Sequence, residues 1–294
     1  MDISKYALFA DVADTCNFTK SGERMGYTQP GVSHILKAME KELGFSLFLR
    51  GRQGVSMTAN ARIILPLVRE LLSVNEHLEQ VIQSINGLET GHLTIASFAS
   101  ISCNWLPVAL RRFQKEYPGI EVELLEGNTD EIQEWLENSR ADFGLLSRKN
   151  IGNLKWLPLY EEPLVAIFPK DFYLQDEAPF PLENFSGMPV IISAIEDDYD
   201  LRDVIQRGKI TPKIRVSSKD THVIMSMVAN HLGISVLPRL AIEKEKERIQ
   251  YRPLEPMITR QLGVGVCSWK KLTPAARRFI ALLQDMRDGN ELGD

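Results

Sequence analysis

Between Ile64 and Leu88 the apolar residues recur at alternating spacings of three and four: Ile64, Leu67, Leu71, Val74, Leu78, Val81, Ile85 and Leu88. That is an a/d seam sustained over more than three heptads. The period predicts one long helix over residues 58–88. A lone helix has nothing of its own on which to bury such a seam. The expectation is self-association, with Leu67, Leu71, Val74, Leu78, Val81, Ile85 and Leu88 as dimerisation contacts. Packing against the chain's own body is the alternative. Pro66 lies in the first turns and is expected to kink the helix or to mark its true start.

The stretch before it, residues 1–57, reads as short helices followed by a hairpin. Tyr6, Phe9, Val12 and Ala13 fall at helical spacing and mark one buried stripe. Thr19 is a candidate N-cap for a second helix, Lys20–Met25, which Gly26 can end. Thr28 is a candidate N-cap for a third, with Pro30 in its first turn, where a missing N–H costs little. Two short helices joined by a tight turn containing glycine read as helix-turn-helix.

The third helix can be tested by geometry. With Gln29 at zero and roughly 100° per residue, Val32, Ile35, Leu36 and Met39 fall between roughly 240° and 340°. Gln29, Pro30, Ser33, His34 and Lys37 fall between roughly 0° and 140°. One face is built to be buried. The other presents an amide, a hydroxyl, an imidazole and an ammonium, which can meet base edges and phosphates in a major groove. An ordinary amphipathic surface helix shows the same division, so the spacing alone leaves both readings open. Beyond it, Leu47–Leu49 and Val55–Met57 flank a turn bounded by Gly51 and Gly54, the pattern of a β-hairpin. A hairpin beside a recognition helix is a wing, and Arg50 and Arg52 at its tip can reach a phosphate or the minor groove. A solvated turn is the alternative.

Charge follows the same division. The 294 residues carry a net charge of −5, yet residues 1–62 hold eight Lys/Arg against six Asp/Glu, which leaves −7 on the remainder. A mildly basic head on an acidic body is compatible with nucleic acid bound at one end. No apolar run approaches the roughly 20 residues of a membrane span. The opening Met1-Asp2-Ile3-Ser4-Lys5 has no secretory pattern, so a cytoplasmic protein is expected. The three cysteines, Cys16, Cys103 and Cys267, are too few and too scattered for a disulfide scaffold.

From His92 onward, β-rich runs alternate with helical ones. Candidate strands are Leu93–Ser97, Ile120–Leu125, Phe143–Leu146, Leu164–Phe168, Val190–Ser193, Ile214–Ser217, Ile234–Leu237 and Leu262–Cys267. Candidate helices are Asn104–Glu116, Glu131–Asn138, Thr221–Asn230 and Pro274–Met286, the last with Thr273 as N-cap. Such alternation predicts parallel βαβ units in one large or two small α/β lobes, with ligands bound beyond the carboxyl ends of strands.

The order of these parts resembles a known family. Phe9-x-x-Val12-Ala13, Asn17-Phe18-Thr19, Thr28-Gln29-Pro30-Gly31-Val32-Ser33, Leu43-Gly44-x-x-Leu47-Phe48-x-Arg50 and Val55-x-Met57-Thr58 together resemble the winged helix-turn-helix of LysR-type transcriptional regulators. Leu232-Gly233-Ile234-Ser235-Val236-Leu237-Pro238 is similar to the family's late Gly-Ile-x-x-Leu-Pro signature. Asn17, the pair Ser21-Gly22, Gln53 and the pair Asn60-Ala61 depart from the family's usual residues. Gly22 inside a helix is expected to cost roughly 1 kcal/mol relative to Ala.

The resemblance implies an all-α winged helix-turn-helix domain (1–58), a linker and dimerisation helix (59–90) and an α/β effector domain (91–294). The effector domain would have two Rossmann-like lobes of the periplasmic-binding-protein type. Lobe I would be about 91–162 with 268–294, and lobe II about 163–267. It implies a bacterial, cytoplasmic regulator that binds imperfect inverted repeats of double-stranded DNA as a dimer or dimer of dimers and meets RNA polymerase. A small effector, such as a carboxylate or amino acid, would sit between the lobes. No cofactor or metal is implied.

DNA contact is then expected from Thr28, Gln29, Pro30, Ser33, His34 and Lys37, with Arg50 and Arg52 from the wing. Effector contact is expected at strand ends and helix starts: Ser100, Ser102, Thr129, Ser147, Arg148, Ser193, Thr221 and His222. Arg148 can pair a carboxylate bidentately. Cys103 reads either as a reactive thiol at a helix start or as a plain pocket-lining one. Glu196-Asp197-Asp198 reads as a solvated acidic loop. No His-Glu-x-x-His, Cys-x-x-Cys, phosphate-binding glycine loop or Gly-x-Ser-x-Gly is present. Two other functions stay open: a constitutive DNA binder with no effector, and an enzyme with an accessory DNA-binding head.

Overall fold

The structure, a computed structural model, describes residues 2–51, 54–85, 90–174, 176–193, 199–242 and 247–292, with the side chains at 50, 84 and 199–203 left aside. Three helices open it: α1 (Ile3–Thr15), α2 (Phe18–Met25) and α3 (Gln29–Leu43). Asn17, not Thr19, caps α2: its side chain accepts the N–H groups of Thr19 and Lys20 at 2.9 and 3.1 Å. The helix therefore starts two residues earlier than the sequence suggested. Gly26, at φ 74°, ends it. Gly22 has a reason to be glycine, because a Cβ there would stand 2.6 Å from the Tyr27 carbonyl oxygen. That close approach seats the turn between α2 and α3, and the intrinsic helical cost is accepted for it.

Strands β1 (Phe48–Gly51) and β2 (Gly54–Met57) pair antiparallel as a hairpin. Phe9, Phe18, Val32, Leu36, Met39, Leu47 and Phe48 close one small core that joins the three helices to the hairpin. Helix α4 (Ala59–Ile85) follows, with the Thr58 hydroxyl accepting the Ala61 N–H at 3.1 Å. It runs through Pro66 without starting there, a correction to one of the two sequence expectations. Leu67, Leu71, Val74, Leu78 and Ile85 are exposed along it, Ile85 to 80%. Val81 is half-buried, and Leu88 lies outside the described residues. Among the described residues nothing covers the seam from Leu67 to Leu78 or at Ile85.

The body alternates β3 (Thr90–Ser97), α5 (Ala99–Asn104), α6 (Leu106–Glu116), β4 (Gly119–Glu126), α7 (Thr129–Glu137), β5 (Phe143–Ser147) and the long β6 (Lys155–Pro169). Then come β7 (Phe180–Pro181), β8 (Pro189–Ser193), α8 (Tyr199–Gly208), β9 (Lys213–Ser218), α9 (Thr221–Ala229), β10 (Ser235–Pro238), α10 (Arg239–Ile242), β11 (Ile249–Glu255), β12 (Thr259–Val266) and α11 (Pro274–Asp288). The sheet order is β4-β3-β5-β12-β6-β11-β7, with β10 also on β6. β3 is parallel to both β4 and β5, and β8 is parallel to β9. The expected parallel units are thus present, but the sheet is mixed: β12 is antiparallel to β5 and β6, and β10 and β11 are antiparallel to β6.

Two cores result. Leu93, Phe113, Phe143, Val264, Phe279 and Leu283 belong to the first lobe. Leu164, Phe168, Phe185, Ile192, Val204 and Val236 belong to the second. β6 serves both: its first half pairs with β12, and its second half lies between β10 and β11.

Candidate functional site

The head presents one polar face. The Thr28 hydroxyl accepts the Gly31 N–H at 3.3 Å and opens α3. Val32, Leu36 and Met39 are buried, whereas Gln29, Pro30, His34 and Lys37 are exposed and Ser33 is half-buried. The polar arc thus faces away from the head's core, as an element entering a groove requires. The Arg50 side chain and the whole of Arg52 lie outside the described residues.

Between the lobes lies a cleft of about 690 Å³. Ser100, Thr129, Ser147, Ser193, Thr221 and His222 line it. Two expected residues do not. Along α5, Ser100, Cys103 and Asn104 share the lining face. Ser102 stands about 200° around the helix from Ser100, and its hydroxyl is enclosed with no hydrogen-bond partner among the described residues. Arg148 fails for the strand analogue of the same reason. Ser147 and Lys149 point into the cleft, so the residue between them points out. Its guanidinium lies 5.8 Å from the centre of the Trp156 ring.

The residues that sequence reasoning missed are the cations and amides brought from afar. Arg260 and Lys219 line the cleft with Lys149, and Asn104 and Asn128 add amides. Arg260 pairs across strands with Glu162, which is fully buried. One Glu162 oxygen accepts from Arg260 Nε at 2.6 Å, and the other accepts the Leu240 N–H at 2.8 Å. Arg260 Nη2 donates to Ser100 Oγ at 3.4 Å, and Asn104 Nδ2 donates to the Leu240 carbonyl at 3.0 Å. The back of the cleft is therefore a polar network on the two strands that pass between the lobes. No local pattern announces it, since Glu162 and Arg260 lie 98 residues apart.

Two rim carboxylates are committed to helix starts. Asp220 accepts the His222 and Val223 N–H groups at 2.8 and 3.2 Å, and Glu131 accepts the Asn128 N–H at 2.8 Å. The wall offers hydroxyls, amides, an imidazole and cations above the apolar surfaces of Phe98, Pro238 and Leu240, a mixture suited to a small polar ligand. Cys103 lines the cleft and is in no disulfide. Burial pushes the Cys267 thiol up, and its Sγ donates to the Leu136 carbonyl at 3.3 Å. Among the described residues no group of three or more His, Cys, Asp or Glu is placed to hold a metal ion, and no helix is long and apolar enough to cross a membrane. Glu196, Asp197 and Asp198 lie outside the described residues.

The family description "LysR substrate binding domain" matches residues 86–288, and "Bacterial regulatory helix-turn-helix protein, lysR family" matches residues 3–62. The chain belongs to the LysR family of transcriptional regulators. This LysR-family chain is 28% identical over 289 residues to the uncharacterized HTH-type transcriptional regulator YvbU of Bacillus subtilis, covering 97% of the chain and 99% of YvbU. A full-length OxyR from Pseudomonas aeruginosa shares its fold at a TM-score of 0.74 and 21% identity, over 98% of this chain and 94% of that one. Full-length CbnR complexed with its target DNA shares it at a TM-score of 0.68 and 18% identity, over 97% and 99%. The relatives it matches are regulators rather than enzymes, and the helix-turn-helix and effector-domain parts stand in the family's order.

Proposed function

We propose that this LysR-family protein is a sequence-specific DNA-binding regulator whose activity is set by a small molecule held between its lobes. Residues 1–58 bind DNA, 59–90 link and dimerise, and 91–294 bind the effector, with lobe I about 91–162 and 259–294 and lobe II about 163–258; the sequence boundary at 267 moves because Leu262, Val264 and Val266 of β12 pack in the first lobe's core. The reading is carried by the cleft, where hydroxyls from strand ends of both lobes converge on one cavity. Ser100, Thr129, Ser147, Ser193, Thr221 and His222 contact the effector, joined by Arg260. The mixture of cations and hydroxyls favours a carboxylate or an amino acid.

Gln29, Pro30, Ser33 and His34 read the groove, while Lys37, Arg50 and Arg52 hold phosphates. One recognition helix covers only a few base pairs, so specificity needs two copies at helical-turn spacing. The exposed seam from Leu67 through Leu88 brings those copies together, and the partner on the promoter is RNA polymerase. CbnR was solved with its target DNA, and the same order of parts supports an inverted-repeat duplex as the partner here.

A DNase footprint upstream of the protein's own gene, run with and without a metabolite extract, tests this. The expected result is a protected inverted repeat whose length or hypersensitive sites change with extract. Protection indifferent to every extract sinks effector control, and no protection on any selected duplex sinks DNA binding.

A further inference from the structure

The parallel strands of the first lobe have a cleft end and a far end. Ser97 of β3 stands in register with Glu126 of β4 and Leu145 of β5. Just beyond these carboxyl ends, Ser100, Thr129 and Ser147 line the cleft. At about 3.3 Å per residue, the eight residues of β3 place its other end about 25 Å away. There β3 meets the long helix α4.

Gln80 sits at the centre of that junction, with Glu76 beside it. Gln80 is 4% exposed. Its Nε2 donates to the His92 carbonyl at 2.7 Å and to Glu76 Oε1 at 2.9 Å, and its Oε1 accepts the Ala275 N–H at 3.3 Å. Glu76 Oε1 also accepts the His92 N–H at 3.2 Å. A single amide thus joins α4 to β3 and to the start of α11. Gly91 makes room for it: at φ 153°, a Cβ there would lie 2.8 Å from Gln80 Cγ.

The junction continues to β5. Thr273, the N-cap of α11, donates to Asp142 at 3.3 Å, and Asp142 accepts the Thr94 N–H at 2.8 Å one residue before β5 begins. Apolar contacts let a helix roll and slide, because burial has no direction. Hydrogen bonds fix an angle, because they weaken steeply off axis.

The geometry points to Gln80 as the positioning residue that couples the cleft to the DNA-reading head. It ties α4 to the far ends of the strands that feed the cleft, so displacement of the strand ends turns the helix instead of slipping past it. The inference rests on the cleft being the effector site. Coupling between two sites is reciprocal, so a change at either end must be felt at the other.

Hydrogen exchange on the full-length protein tests it without an effector. Gln80→Leu is expected to speed exchange severalfold at His92 and Ala275, and also at residues 98–104 and 147–149 beside the cleft. Ser100→Trp, which fills part of the cleft, is expected to change exchange at His92 and Ala275. Glu79→Ala, one residue from the junction, leaves the cleft amides unchanged. Effects of both changes confined to their own end overturn the proposal, as does a uniform rise over the whole chain. Gln80→Glu keeps the acceptor for Ala275 and loses the donor to His92. It carries the same test if the leucine variant fails to fold, with the same two outcomes overturning the proposal. In the footprint, Gln80→Leu is expected to retain protection and lose the extract-dependent change. A wild-type footprint that no extract alters counts against effector control of the cleft, and the exchange measurements still decide the coupling.

Discussion

The head and the two-lobed body place their functional groups by opposite means. In the head, six candidate contacts stand within ten residues, Thr28 to Lys37, along one helix and its cap. The pitch of α3 fixes their spacing, and the core beneath holds the helix as a unit. In the body, the cleft draws on Ser100, Ser147, Ser193, Thr221 and Arg260, from five separate segments and both lobes. Their spacing is set by how the lobes meet. A face fixed by one helix is a reader that stays the same whether or not the body moves. A wall shared by two lobes changes shape whenever they shift. The molecule therefore keeps recognition and adjustability in different places and needs a joint between them.

The largest expected effect breaks the body while sparing the head. Arg260→Met leaves the Glu162 carboxylate buried with no guanidinium beside it, and removing one partner of a buried pair costs about 3–5 kcal/mol. Urea unfolding followed lobe by lobe through hydrogen exchange should show that loss in the body and none in the three-helix core. An equal loss in both would erase the distinction between them.

The next effect depends on pH and sharpens where the body is strained. Burial is the main cause that pushes the Asp142 carboxyl up to about 6, with Glu76 adding to it, while the Thr94 N–H, Thr273 and His92 pull the other way. The folded form keeps its proton where the unfolded form has lost it. The stabilisation is therefore complete below the ordinary value of 3.8 and disappears as pH rises to about 6. Asp142→Asn cannot ionise. At pH 7.5 it is expected to be more stable than the wild type by up to about 3 kcal/mol, at about 1.4 kcal/mol per pH unit. Melting temperatures across pH 4–8 check it, and parallel curves for the two proteins would refute it.

Gln29→Ala with Ser33→Ala tests the head in the reverse sense. Each lost base contact costs about 1–3 kcal/mol of binding. The footprint should vanish while the melting temperature and the dimer, read by sedimentation, stay unchanged. The smallest effect is Asn17→Ala. Loss of this cap is worth about 1 kcal/mol, and it should lower only the head's transition in calorimetry.

How much of this the sequence made legible follows from the same contrast. The caps Thr28 and Thr273, the Val32–Leu36–Met39 stripe and the α4 seam are local, so spacing alone located them, whereas the cap of α2 fell on Asn17 instead of Thr19. Most strand positions in the body were also visible, although β7, β11 and the first half of β6 were missed. The antiparallel directions of β10, β11 and β12 were not visible. Whether β12 runs with or against β5 depends on a chain path more than 100 residues long. The errors at Ser102 and Arg148 were avoidable, since helical and strand periods already set them opposite Ser100 and between Ser147 and Lys149. Arg260 was not avoidable in that way: it acquires meaning only when β12 is laid against β6.

The late return of the chain to the first lobe has a consequence for how the molecule is made. The second lobe's core is complete once Ile258 has been synthesised. The first lobe begins earlier, with Leu93, yet still lacks Phe279, Leu283 and Met286, as well as Leu292, whose carbonyl accepts from Trp105 Nε1 at 2.8 Å. On the ribosome, where domains fold as they emerge, the lobe begun first is finished last. Loss of residues 274–292 would remove the centre of one lobe, not a peripheral segment.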